Sequence, residues 1–231
     1  NPRRKQRGEQ AIAALKETIG RIVRTRRQSK HEASDLLAML MSARDEDSGD
    51  GLSDQELIDE VMTLVIAGHE TTASALTWTL HCLALNPSWS DRIREEVKSF
   101  PNGQWPMEVF RQLDVTGRVL QEGMRLFPPV WTFGRRTLDA IQLGEFLLPS
   151  DTSVTMPLVG IHRHAKSWSH PDSFNPDHFL PDAVQSRPKF AYFPFGGGQR
   201  MCIGSHYAMM EMQCVLARLL NALDIELTGP R

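Results

Sequence analysis

Apolar positions recur at helical spacing over most of this chain. From about Glu9 to Arg27 they fall at Ile12, Leu15, Ile19, Ile22 and Val23, one stripe with a basic outer face. Ser34-Asp35 caps a shorter helix from Leu36 to about Ala43, and the acidic, glycine-bearing run from Arg44 to Gly51 reads as a loop. Ser53 and Glu56 form a capping box, and the apolar run behind them meets no breaker until Asn86-Pro87. That predicts one long helix, roughly 45–50 Å at 1.5 Å per residue. Asp91 to Ser99 reads as a charged amphipathic helix, Pro101-Asn102-Gly103 as a turn, and Val115 to Phe127 as a helix ended by Pro128-Pro129. From Val130 to Leu158 the pattern changes to short alternating runs broken at Gly144 and Pro149-Ser150-Asp151, which predicts strands. A last helix runs from about Ile203 through Ala208, Met212 and Val215 to Leu219. The expected fold is mainly α with a small β-sheet.

Composition narrows the classes. With 231 residues and 41% hydrophobic residues, the chain can bury a sizeable core as one domain over residues 1–231. A net charge of −2 argues against a general nucleic-acid binder, so Arg3, Arg4, Lys5 and Arg7 read as a solvated helix face. Cys82, Cys202 and Cys214 show no paired spacing, which points to a reducing, cytoplasmic setting and away from a disulfide framework. No uninterrupted apolar window is long enough to span a bilayer, and no signal peptide is visible. The chain opens at Asn1-Pro2 without a methionine, which suggests a fragment and leaves an upstream anchor open.

Three places carry chemistry. Cys202 sits in a glycine-rich turn (Gly196, Gly197, Gly198) opening the last helix, whose free amides and dipole favour an ionised sulfur. The glycines let the backbone turn tightly and a flat ligand approach, and Gly204 clears space beside the sulfur. In the long helix, Ala67-Gly68-His69-Glu70-Thr71-Thr72 is poor helix chemistry. Gly68 there removes bulk, and a Thr71 hydroxyl reaching the Ala67 carbonyl would loosen a backbone bond and open a groove. Glu122 and Arg125, at i and i+3, can pair on one helix face. His162, His164 and His170 lack the Cys or carboxylate that would complete a zinc-like set.

Phe195, Gly198, Arg200, Cys202 and Gly204 together resemble the haem-thiolate signature of the cytochrome P-450 family. The resemblance implies haem b (iron protoporphyrin IX) with Cys202 as its axial ligand, Arg200 on a propionate and Phe195 shielding the sulfur. It makes Arg135 the second propionate partner, with Arg136 its competitor, and sets Trp131 and Phe133 on an apolar substrate side. Ala67-Gly68-x-Glu70-Thr71-Thr72 resembles the family's oxygen-activation motif, so Glu70 and Thr71 become its acid–alcohol pair. Glu122-x-x-Arg125 resembles the family's buried ion pair. His178 is a departure, standing where the family has an arginine that completes a triad with that pair. A shorter, partly charged histidine is expected to leave the pair under-supported and haem retention weaker.

The resemblance covers residue 9 to the end and corresponds to the C-terminal half of the family's catalytic domain. It implies a monooxygenase that inserts one atom of O2 into a small apolar organic substrate. Electrons would come from a ferredoxin- or flavoprotein-type reductase, and the N-terminal half of the domain would be a missing partner. Two alternatives stand beside it. One is a family member that rearranges or consumes peroxides, against which Glu70-Thr71 counts; the other is a truncated, inactive haem-binding or interaction fragment.

Overall fold

Polar residues open helix α1 (Pro2–Gln28), which starts earlier than the apolar stripe predicts. The extra turns, rich in Arg, Lys and Gln, are good helix formers and stay exposed, carrying the basic cluster on a solvated face. The computed structural model describes residues 2–29, 34–98, 100, 105, 107–110 and 112–228. The turn expected at Pro101-Asn102-Gly103, and Ser99 at the end of its helix, lie outside them.

The chain divides into two units, Asn1–Glu70 and Thr71–Arg231. In the first, α1 is followed by α2 (Leu36–Ser42), whose N-cap is Asp35, its carboxylate accepting from the Ala38 amide at 2.9 Å. Arg26 grips the same carboxylate with two nitrogens, at 2.9 and 2.7 Å. Helix α3 (Asp54–Leu85) opens on the expected capping box: the Ser53 amide donates to Glu56 at 2.8 Å, and the Glu56 amide donates back to the Ser53 hydroxyl at 3.3 Å. Ile19, Val23 and Leu57 form this unit's core. Ile12 and Ile22, placed on the predicted stripe, are instead half-exposed.

In the second unit, the rest of α3 buries Thr72, Ala75, Thr79, Cys82 and Leu83, one face at helical spacing. Asn86 breaks the helix and Pro87 starts α4 (Pro87–Lys98), a proline at the first helical position where its missing N–H costs nothing. After the short α5 (Met107–Phe110), α6 (Asp114–Leu126) begins against α4. No side chain of its own caps α6. Glu96 of α4 does so, accepting from the amides of Val115 and Thr116 at 2.6 and 3.0 Å.

The strands form two separate antiparallel ribbons and not one sheet. β1 (Thr132–Arg136) pairs with β4 (Ser153–Pro157), and β2 (Ile141–Leu143) with β3 (Phe146–Leu148). α7 (Leu158–Ile161), a 3-10 turn at Pro176–Phe179 and α8 (Pro181–Gln185) lead to the cysteine loop. The chain then enters α9 (Ser205–Ala222), starting two residues later than the sequence suggests. α4, α6 and α9 pack around Ile93, Leu113, Val119, Leu120, Met212 and Leu216.

Candidate functional site

The cysteine loop is shaped by backbone before any side chain acts. Gly196 and Gly198 hold φ of 77° and 72°, a left-handed conformation that favours glycine, and a 3-10 turn follows at Gly198–Arg200. The Cys202 amide donates to the Phe195 carbonyl at 2.9 Å, closing the loop on itself. Phe195 packs against the helical core and anchors one side. The Cys202 thiol is exposed at the foot of α9, between the largely exposed side chains of Met201 and Ile203, the latter 91% exposed. A Cβ built on Gly204 would meet the Cys202 sulfur at 3.9 Å, so the glycine does stand beside the sulfur.

Cys82, by contrast, is buried, and its thiol is pushed up to about 12 by burial first and the Glu122 charge second. It is an inert packing residue. Cys214 is half-buried against the same core.

Strand β1 comes up to this loop. A Cβ on Gly196 would touch the Phe133 ring at 3.5 Å, and Arg135, two residues on and on the same face of the strand, has its guanidinium 5.9 Å from that ring. Arg136 points to the opposite face and pairs with Asp151 at 2.6 Å. Arg135 and Arg200 are both exposed and have no carboxylate partner among the described residues. Trp131 is exposed and Phe133 half-buried.

The buried ion pair is densely bonded. Glu122 and Arg125 are fully buried and bidentate, with Nε to Oε2 at 2.7 Å and Nη2 to Oε1 at 2.8 Å. Arg125 spends its other donors on the carbonyls of His162 (3.0 Å), Pro171 (2.6 Å) and Ser173 (3.0 Å). Glu122 also accepts from the Asn175 amide at 2.8 Å. His178 is not the weak substitute expected of it. Its Nδ1 lies 3.2 Å from Glu122 Oε1, within reach of the carboxylate, and its Nε2 lies 2.9 Å from the Ser169 carbonyl and 3.4 Å from the Ser169 hydroxyl.

Sequence reasoning missed the link from this pair to the cysteine loop. His162, fully buried, accepts the Phe193 amide on Nε2 at 3.1 Å, and the Phe193 carbonyl in turn takes the Gly196 amide at 2.9 Å. Its pKa is lowered to about 4, by burial first and by the Arg125 charge second, which keeps that nitrogen free to accept. Screening the histidines only as metal ligands hid this role. No periodicity could show it, because it depends on a loop amide 31 residues away.

In α3 the motif segment is regular. The helix runs as α through Ala67-Gly68-His69-Glu70-Thr71. Thr63, Thr77 and Thr79 hydroxyls each bond the carbonyl four residues back without breaking it. Glu70 is exposed and Thr71 half-buried. A Cβ on Gly68 would meet nothing within 4 Å, so the space beside it is open.

A cradle for a flat, apolar, doubly acidic ring needs a metal donor, slim backbone and cations. An exposed sulfur flanked by apolar side chains, left-handed glycines and two unpaired guanidiniums near the loop supply these, so the residues fit haem.

The family model described as cytochrome P-450 matches residues 2–230. A cyclooctatin synthase of Streptomyces melanosporofaciens is 39% identical over 92% of this chain and 47% of its own. A pentalenene oxygenase of Streptomyces avermitilis is 34% identical over 90% of this chain and 46% of its own. Among solved structures, a cytochrome P-450DA heme domain aligns at a TM-score of 0.86 and 30% identity, covering 90% of this chain and 47% of that one. The chain spans about half the length of the curated relatives it matches. No helix among the described residues is long and apolar enough to cross a membrane.

Proposed function

This chain belongs to the cytochrome P-450 family, and on that premise we propose that it forms the thiolate side of a haem-dependent monooxygenase. Residues 1–231 would be the C-terminal part of a single haem-binding domain, working in the cytoplasm on a small apolar organic substrate. The observation that carries this reading is the exposed Cys202 sulfur, presented by a loop that its own amide closes at 2.9 Å and that two left-handed glycines shape.

Haem b, when bound, supplies the activation of O2 and the electron transfer. This chain's residues do the rest. Cys202 would hold the metal as a thiolate, with the amides that open α9 lowering the electron density on its sulfur. Arg135 and Arg200 would hold the two propionates. Arg135 is preferred over Arg136 because it shares a strand face with Phe133 at the cysteine loop, whereas Arg136 is paired with Asp151. The Thr71 hydroxyl would serve as the hydrogen-bond donor of the acid–alcohol pair, and Glu70, which is exposed, would pass protons from solvent. Trp131 and Phe133 would make the substrate side apolar. Electrons would come from a ferredoxin- or flavoprotein-type reductase.

The test uses the haem-loaded protein. The reduced carbon monoxide complex is expected to show a thiolate-type red-shifted Soret band, which Cys202→His abolishes. A band that survives the substitution removes Cys202 as ligand. In the full-length enzyme, Thr71→Ala is expected to leave substrate binding nearly intact while reducing equivalents are diverted to peroxide, read as product formed per NAD(P)H consumed.

The second reading is an inactive haem-binding or interaction fragment. It is favoured by the coverage of about half of each relative and by the exposure of Trp131, Phe146, Leu147 and Ile203.

A further inference from the structure

A cavity of about 370 Å³ lies behind the buried ion pair, between the stretch 165–169 and the end of α8. Its volume suits a small ligand. Two cations line it, Lys166 and Arg187, and no acidic side chain does. Neither cation has an ion-pair partner among the described residues.

Arg187 is the more informative of the two. Its guanidinium lies 3.7 Å above the Trp168 ring and donates to the His178 carbonyl, which leaves most of its N–H groups unspent. Partial burial is the largest influence on it and lowers its pKa. The Glu122 carboxylate raises that pKa, but it is already gripped by Arg125. Beneath the Arg187 guanidinium, the indole Nε1 of Trp168, a residue only 2% exposed, has no acceptor among the described residues. A buried indole N–H ordinarily has one. Ser167 also lines the space, as do Ser169, whose hydroxyl lies 3.4 Å from His178, and Ser186, whose hydroxyl donates to the Ala183 carbonyl at 3.1 Å.

We propose that this cavity binds a phosphate group, as inorganic phosphate or as the head of a small phosphomonoester. An ammonium, a guanidinium and a hydroxyl on residues that line one space suit an oxyanion with several acceptor oxygens better than a planar carboxylate. Occupation would neutralise Arg187. Because His178 is part of the wall and also contacts Glu122, the bound anion would stiffen the residues around the ion pair.

Calorimetric titration of the protein with inorganic phosphate and with phenyl phosphate tests this, at constant ionic strength maintained with sodium chloride to remove general screening. One saturable site is expected, and the tighter of the two probes tells free phosphate from an ester. Lys166→Ala, an exposed change, is expected to weaken binding about tenfold, the usual loss for one charged hydrogen-bond donor. Arg187→Gln is expected to abolish it. Should that variant fail to fold, the wild-type indole N–H resonance of Trp168, assigned with Trp168→Phe, supplies the second reading. It is expected to shift on phosphate addition while the other indoles stay still. Absence of saturable binding, equal affinity in Lys166→Ala, or an unmoved Trp168 resonance would each overturn the proposal.

Discussion

The Nε2 of His162 accepts the Phe193 amide at 3.1 Å, and through that bond the buried ion pair reaches the cysteine loop. Arg125 holds the His162 backbone by its carbonyl, and Phe193 takes the amide of Gly196, where the loop turns. The imidazole can accept only while neutral. Its pKa, about 4 when folded against an ordinary 6.5, means that the unfolded chain binds the proton more readily. This contribution to stability is therefore complete above about pH 6.5 and lost as pH falls toward 4.

His162→Gln keeps an acceptor and removes the titration. Urea unfolding from pH 7 to pH 4.5 is expected to show wild type losing more stability than the variant, by up to about 3 kcal/mol. Parallel pH profiles would show that His162 is not the group responsible.

His178 makes a second prediction, and it reverses the sequence-based expectation. Its two nitrogens already meet the Glu122 carboxylate and the Ser169 carbonyl, so His178→Ala leaves a buried carboxylate one donor short. The expected loss is about 1–3 kcal/mol, measured as a shift of the urea midpoint. Removing the whole partner is worse: Arg125→Ala strands a fully buried charge and is expected to cost about 3–5 kcal/mol. His178→Arg is expected to lose stability too, because the longer side chain must enter space that Arg187 and Trp168 fill. A higher midpoint for that variant would restore the family-style triad.

What the sequence revealed and what it hid divide along physical lines. Local rules worked: the capping box at Ser53 and Glu56, the stop at Asn86-Pro87, and the Glu122–Arg125 spacing each depend on a few adjacent residues. Features set by distant partners did not. The early turns of α1 follow from propensity without any stripe, and the split into two ribbons follows from which strands pair, which alternation cannot encode. For the candidate site, the motifs named the residues, but the roles of Asn175, His162 and the three carbonyls on Arg125 exist only after the chain has folded.

Gly123 belongs to the same hidden class. It is one of the two positions between Glu122 and Arg125 to which the motif assigns no role, yet α6 crosses α3 there so closely that an added Cβ would run into the Thr79 hydroxyl. That Cβ would also come within 3.3 Å of the Thr79 Cα, a backbone atom that cannot swing away. Thr79 is fully buried and its hydroxyl bonds the Ala75 carbonyl at 2.8 Å. Gly123→Ala is thus expected to destabilise by about 1–3 kcal/mol despite alanine's better helix propensity. Pairing it with Thr79→Ala is expected to recover part of the loss. Simple additivity of the two would place the strain elsewhere.

The last prediction concerns residues 1–231 expressed alone. Leu138 is 90% and Ile203 91% exposed, and Trp131, Phe146, Leu147, Phe190 and Tyr207 are each more than half exposed. Scattered apolar side chains are ordinary on a surface, but Ile203 and Met201 flank the cysteine proposed to hold haem, and Trp131 lies one residue before β1, the strand that reaches that loop. A ring bound there would be walled by the cysteine loop and β1, with the remaining cover drawn from sequence that the relatives have and this stretch does not. The isolated chain is therefore expected to bind haem substoichiometrically, to show no turnover, and to associate as its concentration rises. Co-expression with the N-terminal half of the same domain is expected to restore the thiolate-type carbon monoxide spectrum. Stoichiometric thiolate-ligated haem on a monomer of the isolated chain, by absorbance and sedimentation, would mean that the cysteine loop, α9 and β1 suffice for the pocket.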